Sequence, residues 1–219
     1  MDKLRQFYEG EYFDKGNAEK GFDAWKKGNH PYLMMRCRRI DKYVLPRING
    51  VGAILEIGSG WGYITDYLRG RGYLVEGCDI SKRIVAQANK FYERNWFYVH
   101  DIEESPTAKK YDTIIMFDIL EHIFDYDAVL KNVYESLNDK GLVAIHIPNL
   151  DGWSVRLRLL AGDTSFFQDK AHIRYFSHDL LKNLLIKHKF KYIYSKSFGF
   201  GGAVLMIAGK TAKPATYET

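Results

Sequence analysis

From residue 53 onwards, short apolar segments alternate with amphipathic segments, and this alternation constrains the fold more than any other feature. Nearly continuous apolar runs predict strands that are buried on both faces, as in a parallel sheet covered by helices. The five runs that precede the last predicted helix are AILEIG, LVEGCDI, FYVHDI, YDTIIMFDIL and LVAIHIPN. The amphipathic segments between them predict the crossover helices that parallel strands require.

Two further strands, KYIYSKSF and AVLMIAGK, follow the last predicted helix and are joined only by GFGG. Because no helix separates them, they predict an antiparallel pair at one edge of the sheet. The pattern as a whole predicts an α/β fold. Its core is a Rossmann-like, doubly wound, seven-stranded sheet, mostly parallel with an antiparallel edge strand, with helices on both faces.

Local signals bound the helices. Ser81 and Ser177 precede amphipathic segments and predict N-caps, because a serine hydroxyl accepts from a free backbone N–H in the first turn. Gly141 follows the last turn of the helix predicted within 126–141.

The domain prediction follows from this pattern. Residues 46–210 are predicted to form the main α/β domain, which carries the site, and 150–176 is predicted as an irregular insert on its substrate side. Residues 1–45 are predicted as helical segments that cover the ligand edge of the sheet, and 211–219 as a flexible tail.

Composition excludes several classes of protein. The chain has 46% hydrophobic and 27% charged residues, and none of its apolar runs approaches the roughly 18 residues of a membrane span. Its start, MDKLRQFYEG, lacks the apolar region of a secretory signal, and two cysteines do not make a disulfide framework or a zinc site. The expected location is the cytoplasm. The net charge of +5 permits a nucleic-acid partner, but the basic residues are spread along the chain.

The stretch EIGSGWG places Gly58, Gly60 and Gly62 directly behind the first strand. Glycines at this position let the backbone approach a ligand closely. The dinucleotide-binding pattern needs G-x-G-x-x-G, whereas this chain has G-x-G-x-G and Tyr63 in the third-glycine position.

Acidic residues stand at the ends of the first three strands. Glu56 precedes the glycines, Asp79 ends the second strand and Asp101 ends the third. In an open α/β sheet the ligand lies beyond the carboxyl ends of the strands, where Asp79 can take both hydroxyls of a ribose. Ile80 and Ile102 can sandwich a flat base, and Asp101 can accept from its exocyclic amine.

With these features the sequence resembles the class I S-adenosylmethionine-dependent methyltransferases. The matching stretches are ILEIGSGWG, VEGCDIS, FYVHDI and YDTIIMFDILEHI. FYEGEYF, GLVAIHIPN and HIRYFSHDLLKNLLIKHKF are similar to a subgroup that includes ubiquinone-biosynthesis O-methyltransferases and small-RNA 2′-O-methyltransferases.

The resemblance implies S-adenosyl-L-methionine as cofactor, with its tail and ribose near the backbone of Gly58, Ser59 and Gly60. By the same resemblance, Glu56 positions the glycine turn or the cofactor's ammonium group. The remaining implied cofactor residues are Asp79, Ile80, Asp101 and Ile102 at the ribose and adenine, with Phe117 and Asp118 beneath the tail and methyl group.

The stretch DILEHI places Asp118, Glu121 and His122 at i, i+3 and i+4, positions that share a face on a helical turn. Three interpretations stay open: His122 with Glu121 as catalytic groups, structural hydrogen bonding, or a divalent metal. In the resembling subgroup an E-x-x-E-H stretch with a downstream histidine can hold such a metal. Here Asp118 replaces the first glutamate and His172 of HIRYF is the downstream partner, so a metal is not favoured.

The predicted function is methyl transfer to a small-molecule acceptor through oxygen or nitrogen. Arginines in the two covering segments suit an anionic acceptor, with solvated surface arginines as the alternative: Arg36, Arg38, Arg39, Arg156, Arg158 and Arg174. The other hypotheses are an RNA or other nucleic-acid methyltransferase and a non-catalytic regulator that binds S-adenosylmethionine.

Overall fold

The computed structural model describes residues 6–7, 9–10, 18–48, 52–167 and 172–211. The chain divides into two compact units, Met1–Asp101 and Ile102–Thr219. The strands are β1 Ile54–Ile57, β2 Val75–Asp79, β3 Phe97–Val99, β4 Tyr111–Phe117, β5 Leu137–Pro148, β6 Phe190–Phe198 and β7 Ala203–Lys210. Over the described ranges these seven strands form a single sheet in the order β3-β2-β1-β4-β5-β7-β6, with helices around it. The predicted fold class is confirmed.

The first unit contains three parallel strands. Ile54 of β1 pairs with Val75 of β2, and Gly77 of β2 pairs with Phe97 of β3. Among the described residues of this unit, the helices are α1 Ala18–Lys26, α2 Pro31–Arg39, α3 Tyr63–Arg69 and α4 Lys82–Tyr92. α2 continues through a π-helical turn, Ile40–Val44, into a 3-10 turn, Leu45–Arg47. The N-cap prediction for α4 is confirmed, because the Ser81 hydroxyl accepts from the N–H of Ile84 at 3.2 Å.

Aromatic side chains attach α1 to the rest of its unit. The ring of Phe22 stacks on Phe91 of α4, with centroids 3.6 Å apart, and meets the rings of Trp61 and Tyr63 edge-on at 5.9 and 5.7 Å. The indole N–H of Trp25 also donates to the Asp66 carboxylate at 2.8 Å. Trp61 and Tyr63 therefore serve the packing of α1 on the segment that follows the glycine turn.

The second unit contains β4 to β7 and the helices α5 Tyr126–Ser136, α6 Trp153–Leu160 and α7 His178–Lys187, with 3-10 turns at Leu120–His122 and Ser165–Phe167. β4 and β5 are parallel, and β7 runs antiparallel to both β5 and β6. The two last strands therefore form the predicted antiparallel pair at one edge. The predicted cap of α7 is also confirmed, because the Ser177 hydroxyl accepts from Leu180 N–H at 3.1 Å.

The helix predicted within 126–141 is shorter than expected, because α5 ends at Ser136. Leu137 takes an extended conformation, is fully buried and pairs with Tyr111 of β4. Lys140 then turns the chain with a φ of 64°, and Gly141 has no room for a side chain, since a Cβ would lie 2.9 Å from the Asn138 carbonyl oxygen. Burial of Leu137 in the sheet thus overrides the helical pattern.

The predicted insert, 150–176, contains the eight-residue helix α6 rather than irregular chain throughout. Parts of the predicted cover (1–5, 8 and 11–17), of the insert (168–171) and most of the predicted tail (212–219) lie outside the described residues. In the portion of the chain that the structure describes, no helix has both the length and the apolar character needed to cross a membrane.

Candidate functional site

The predicted glycine turn lies directly after β1. Gly58, Gly60 and Gly62 have positive φ angles of 67°, 51° and 80°, which glycine adopts without strain. At Gly62 a Cβ would lie 2.2 Å from Cζ of Phe97, so this position also lacks room for a side chain. At Gly60 a Cβ would meet nothing within 4 Å, so only the backbone angle requires glycine there.

Asp79, at the end of β2, holds the glycine turn from the neighbouring strand. Its Oδ2 accepts from the N–H of Gly60 at 3.0 Å, and its Oδ1 accepts from the N–H of Ser81 at 3.0 Å. Burial raises the pKa of the Asp79 carboxyl, while hydrogen bonds from the N–H groups of Ser81, Gly60 and Ile80 act in the opposite direction. A carboxylate has about four acceptor positions, so Asp79 can bind the turn and still accept further donors.

Glu56, in β1, is 4% exposed and binds the start of α3. Its Oε2 accepts from the Thr65 N–H at 2.9 Å and from the Thr65 hydroxyl at 2.6 Å. Because Gly62 occupies the N-cap of α3 and has no side chain, Glu56 supplies the acceptor that a cap residue ordinarily provides. Burial raises the pKa of Glu56 to about 8, against the opposing effect of the two Thr65 hydrogen bonds.

Ser59 is part of the glycine turn and faces β2. Its N–H donates to the Cys78 carbonyl at 3.0 Å, and its side chain packs against β2, where a Cβ on Gly77 would lie 2.8 Å from the Ser59 Oγ. This hydroxyl is buried and has no hydrogen-bond partner among the described residues. It is therefore a polar atom in the turn that a ligand could satisfy.

The ends of β2 and β3 lie side by side. The N–H of His100 donates to the Asp79 carbonyl at 3.0 Å, which places the buried Asp101 one residue beyond this contact and the half-buried Ile80 directly after Asp79. Within the first unit, the structure thus brings the predicted cofactor residues together at the carboxyl ends of three parallel strands: Glu56, Gly58, Ser59, Gly60, Asp79, Ile80 and Asp101. Their binding roles stay predictions.

In the second unit, Asp118 follows β4 and is paired with His146 of β5. The Asp118 N–H donates to the His146 carbonyl at 2.8 Å, and the Asp118 carboxylate lies 2.6 Å from His146 Nδ1. The neighbouring Phe117 stacks its ring on the His146 ring at 5.1 Å. Asp118 has a φ of 56°, a conformation that aspartate tolerates better than most residues. Ile102 is buried, and its carbonyl accepts from the Asn132 side chain at 2.8 Å.

Glu121, His122 and His172 form a cluster in the second unit. Each offers one ligand atom, and these atoms lie within 4.8 Å of one another. Glu121 is 2% exposed, its Oε1 is 3.9 Å from Nε2 of His172, and the two imidazole rings are 4.9 Å apart. The structure places His172 beside Glu121 and His122, whereas Asp118 is not in this cluster, and the metal-binding role of these residues stays a prediction. A carboxylate and two imidazoles are chemically suited to a borderline transition ion, and equally to proton transfer.

Backbone contacts explain why His172 lies beside Glu121 despite the distance in sequence. The N–H groups of Ile173 and Arg174 both donate to the Glu121 carbonyl at 3.1 Å. The Arg174 guanidinium donates to the carbonyls of Ile123 at 3.2 Å and Phe124 at 2.7 Å. Arg174 is one of the arginines interpreted either as partners of an anionic acceptor or as solvated surface residues; its guanidinium holds the HIRYF segment against the turn after β4.

The sequence patterns did not indicate the Asp118–His146 pair. The available signal was that Asp118 and His146 stand near the ends of two predicted parallel strands, whose carboxyl ends share one edge of the sheet. No local signal points to the structural role of Arg174, since its partners are backbone carbonyls about 50 residues earlier.

Comparison with known proteins identifies relatives of this arrangement. A family model described as a methyltransferase domain matches residues 31–195. The chain is 25% identical over 136 residues to the ubiquinone biosynthesis O-methyltransferase of Rickettsia prowazekii, a match that covers 57% of this chain and 54% of that protein. A second ubiquinone biosynthesis O-methyltransferase, from Bradyrhizobium diazoefficiens, is 24% identical over 133 residues, covering 58% and 52%. The chain thus spans about half the length of the curated relatives it matches.

Solved structures show the same fold. The magnesium protoporphyrin IX methyltransferase of Synechocystis, solved with bound SAH, has a TM-score of 0.66 at 18% identity and covers 96% of this chain and 99% of that one. A protein from Pyrococcus horikoshii has a TM-score of 0.67 at 19% identity, with coverages of 84% and 93%.

Proposed function

The chain belongs to the family of S-adenosylmethionine-dependent methyltransferase domains, and we propose that it methylates an oxygen or nitrogen atom of a small-molecule acceptor. The named activity of its curated relatives, O-methylation in ubiquinone biosynthesis, supports a small acceptor. The mildly basic charge of +5 suits an acceptor with anionic character. A cytoplasmic location remains part of this proposal.

One observation carries the proposal: Asp79 bridges the glycine turn and the start of α4 through the N–H groups of Gly60 and Ser81. This arrangement fixes a carboxylate at the end of β2 with acceptor capacity to spare, as two vicinal ribose hydroxyls require. The buried Ser59 hydroxyl beside it offers a further polar partner. These residues fit S-adenosylmethionine, which supplies a methyl group already activated on a sulfonium.

The second unit supplies groups for the acceptor. We assign His122 as the base that accepts a proton from the acceptor hydroxyl or amine, since imidazole titrates near neutral pH. Glu121 is buried 3.9 Å from His172, and its negative charge would stabilise a protonated imidazole in the cluster. The alternative is that Glu121, His122 and His172 hold a divalent cation, which would act on the acceptor as a Lewis acid.

The experiment measures cofactor binding and turnover separately. In calorimetric titration, Asp79→Ala should weaken S-adenosylmethionine binding about ten- to a hundredfold, because the two proposed charge-assisted hydrogen bonds to the ribose hydroxyls are lost. Asp139→Ala removes an exposed aspartate of β5 and should leave affinity unchanged. S-adenosylhomocysteine release is then screened with phenols, amines, carboxylates and RNA. Unchanged affinity in Asp79→Ala, or a wild-type preference for NAD, contradicts the cofactor assignment, and turnover on RNA alone contradicts the acceptor class.

A further inference from the structure

The first turn of α4 has all its backbone donors engaged. An α-helix leaves its first N–H groups without intrahelical acceptors. In α4, the N–H of Ser81 donates to Asp79 Oδ1 at 3.0 Å, and that of Ile84 donates to the Ser81 hydroxyl at 3.2 Å. The two N–H groups between them, of Lys82 and Arg83, donate to a residue far away in the sequence, Glu9.

Glu9 makes three contacts with α4. Its Oε1 accepts from the Lys82 N–H, and its Oε2 accepts from the Arg83 N–H at 3.2 Å. The Arg83 guanidinium also donates to the Glu9 carbonyl. A carboxylate at a helix N-terminus gains from the helix dipole as well as from the hydrogen bonds. Glu9 thus attaches the chain around residues 9–10 to the start of α4.

The attachment point is next to Asp79. Asp79 Oδ1 and the Glu9 carboxylate bind consecutive N–H groups, of Ser81, Lys82 and Arg83. Burial is the main cause that raises the pKa of Asp79, and the negative charge of Glu9 adds to it. The two carboxylates therefore repel each other, and donors that bind Asp79 would reduce this repulsion. Occupation of Asp79 and attachment of Glu9 should then favour each other.

We propose that Glu9 is a latch, a positioning residue that holds residues 9–10 on α4 and closes more firmly when the cofactor's ribose hydroxyls bind Asp79. The coupling rests on the ribose-binding role proposed for Asp79. Such a latch slows cofactor release without touching the reacting atoms, and by linkage the cofactor must stabilise the latch to the same extent.

The latch has a direct readout in amide hydrogen exchange, measured residue by residue by NMR. The amides of Lys82 and Arg83 should exchange roughly tenfold faster in Glu9→Ala than in the wild type, because they lose the Glu9 carboxylate as acceptor. The Ile84 amide, bound to Ser81, is the internal reference and should change little. Glu135→Ala, which removes an exposed glutamate of α5, is the matched control.

Coupling is tested with S-adenosylhomocysteine. If the latch is open in Glu9→Ala, the factor by which this variant weakens binding must equal the factor by which the ligand increases wild-type protection at Lys82 and Arg83. We expect both factors to be roughly three- to tenfold, with faster ligand dissociation in stopped-flow fluorescence. Arg83→Gln keeps both N–H groups and removes the guanidinium contact to the Glu9 carbonyl, so it should show a smaller effect in the same direction.

The outcomes separate the latch from the proposed function. Faster exchange in Glu9→Ala with equal coupling factors supports the proposal. Unchanged exchange at Lys82 and Arg83 overturns the latch, and faster exchange with unchanged affinity overturns its coupling to the cofactor. If Asp79→Ala loses binding while Glu9→Ala does not, the proposed function stands and the latch fails. If neither variant changes affinity, both are wrong.

Discussion

Ionisation of the buried Glu56 carboxyl should lower the free energy of unfolding as the pH rises. Burial raises its folded-state pKa to about 8 from an ordinary value of 4.5. A raised pKa means that the folded state favours the protonated acid. The stability that Glu56 contributes is therefore fully present below about pH 4.5 and is lost as the pH rises towards 8. Each pH unit in this window removes up to about 1.4 kcal/mol, so the whole window removes roughly 4–5 kcal/mol.

Glu56→Gln isolates this effect. Glutamine has the same shape, its carbonyl can accept from the Thr65 N–H and hydroxyl as Glu56 Oε2 does, and it stays neutral at every pH. We expect the free energy of unfolding of the variant to match the wild type near pH 5 and to exceed it by several kcal/mol at pH 9.

The measurement is urea unfolding followed by circular dichroism at unit steps from pH 5 to pH 9. Other titrating groups contribute equally to both proteins, so the difference between the two curves reports Glu56. Glu135→Gln, an exposed glutamate on α5, controls for the loss of one carboxylate and should track the wild type. Parallel curves for wild type and Glu56→Gln would refute the reasoning, because they would mean that Glu56 is ionised in the folded protein throughout.

Two further predictions concern the cofactor and the cluster of Glu121, His122 and His172. If Glu56 meets the ammonium of S-adenosylmethionine, the cofactor's positive charge will lower the pKa of Glu56, and cofactor binding at pH 7 will release a proton. Calorimetry in two buffers of different ionisation enthalpy detects this proton. If no proton is released, Glu56 serves only to hold α3. If His122 acts as a base without metal, chelators will leave the rate unchanged. A stoichiometric ion that is lost in both Glu121→Ala and His172→Ala would instead establish the metal site.

Features with local causes were predictable from the sequence. The caps at Ser81 and Ser177 follow from the chemistry of one residue and the helix that follows it. The meeting of Asp79 with the glycine turn follows from parallel strands, whose carboxyl ends share one edge of the sheet. By contrast, the end of α5 was not predictable. The sequence around Leu137 favours a helix, and only the burial of Leu137 against β4 ends the helix at Ser136.

The contacts that were missed join ordinary residues over long separations. Glu9 lies in an aromatic-rich stretch, FYEGEYF, with nothing that marks one of its acids as the partner of a helix 73 residues away. The guanidinium of Arg174 could equally bind a carboxylate, a phosphate or a carbonyl, and only the folded chain selects the carbonyls of Ile123 and Phe124. Such choices depend on tertiary geometry, which periodicity does not encode.

The replacement of a glutamate by Asp118 changes what the neighbouring cluster can do. Asp118 is one methylene shorter, and its carboxylate is bonded to His146 at 2.6 Å rather than placed beside Glu121. The cluster is left with one carboxylate and two imidazoles, a set that Mg²⁺ disfavours and that Zn²⁺, Mn²⁺ or Fe²⁺ would accept. It also places one buried acid beside two imidazole rings, so an ionised Glu121 would stabilise a proton taken by either ring. The position of Asp118 therefore supports the proposed proton transfer over a hard-cation site, with His122 as base in the first case and as ligand in the second.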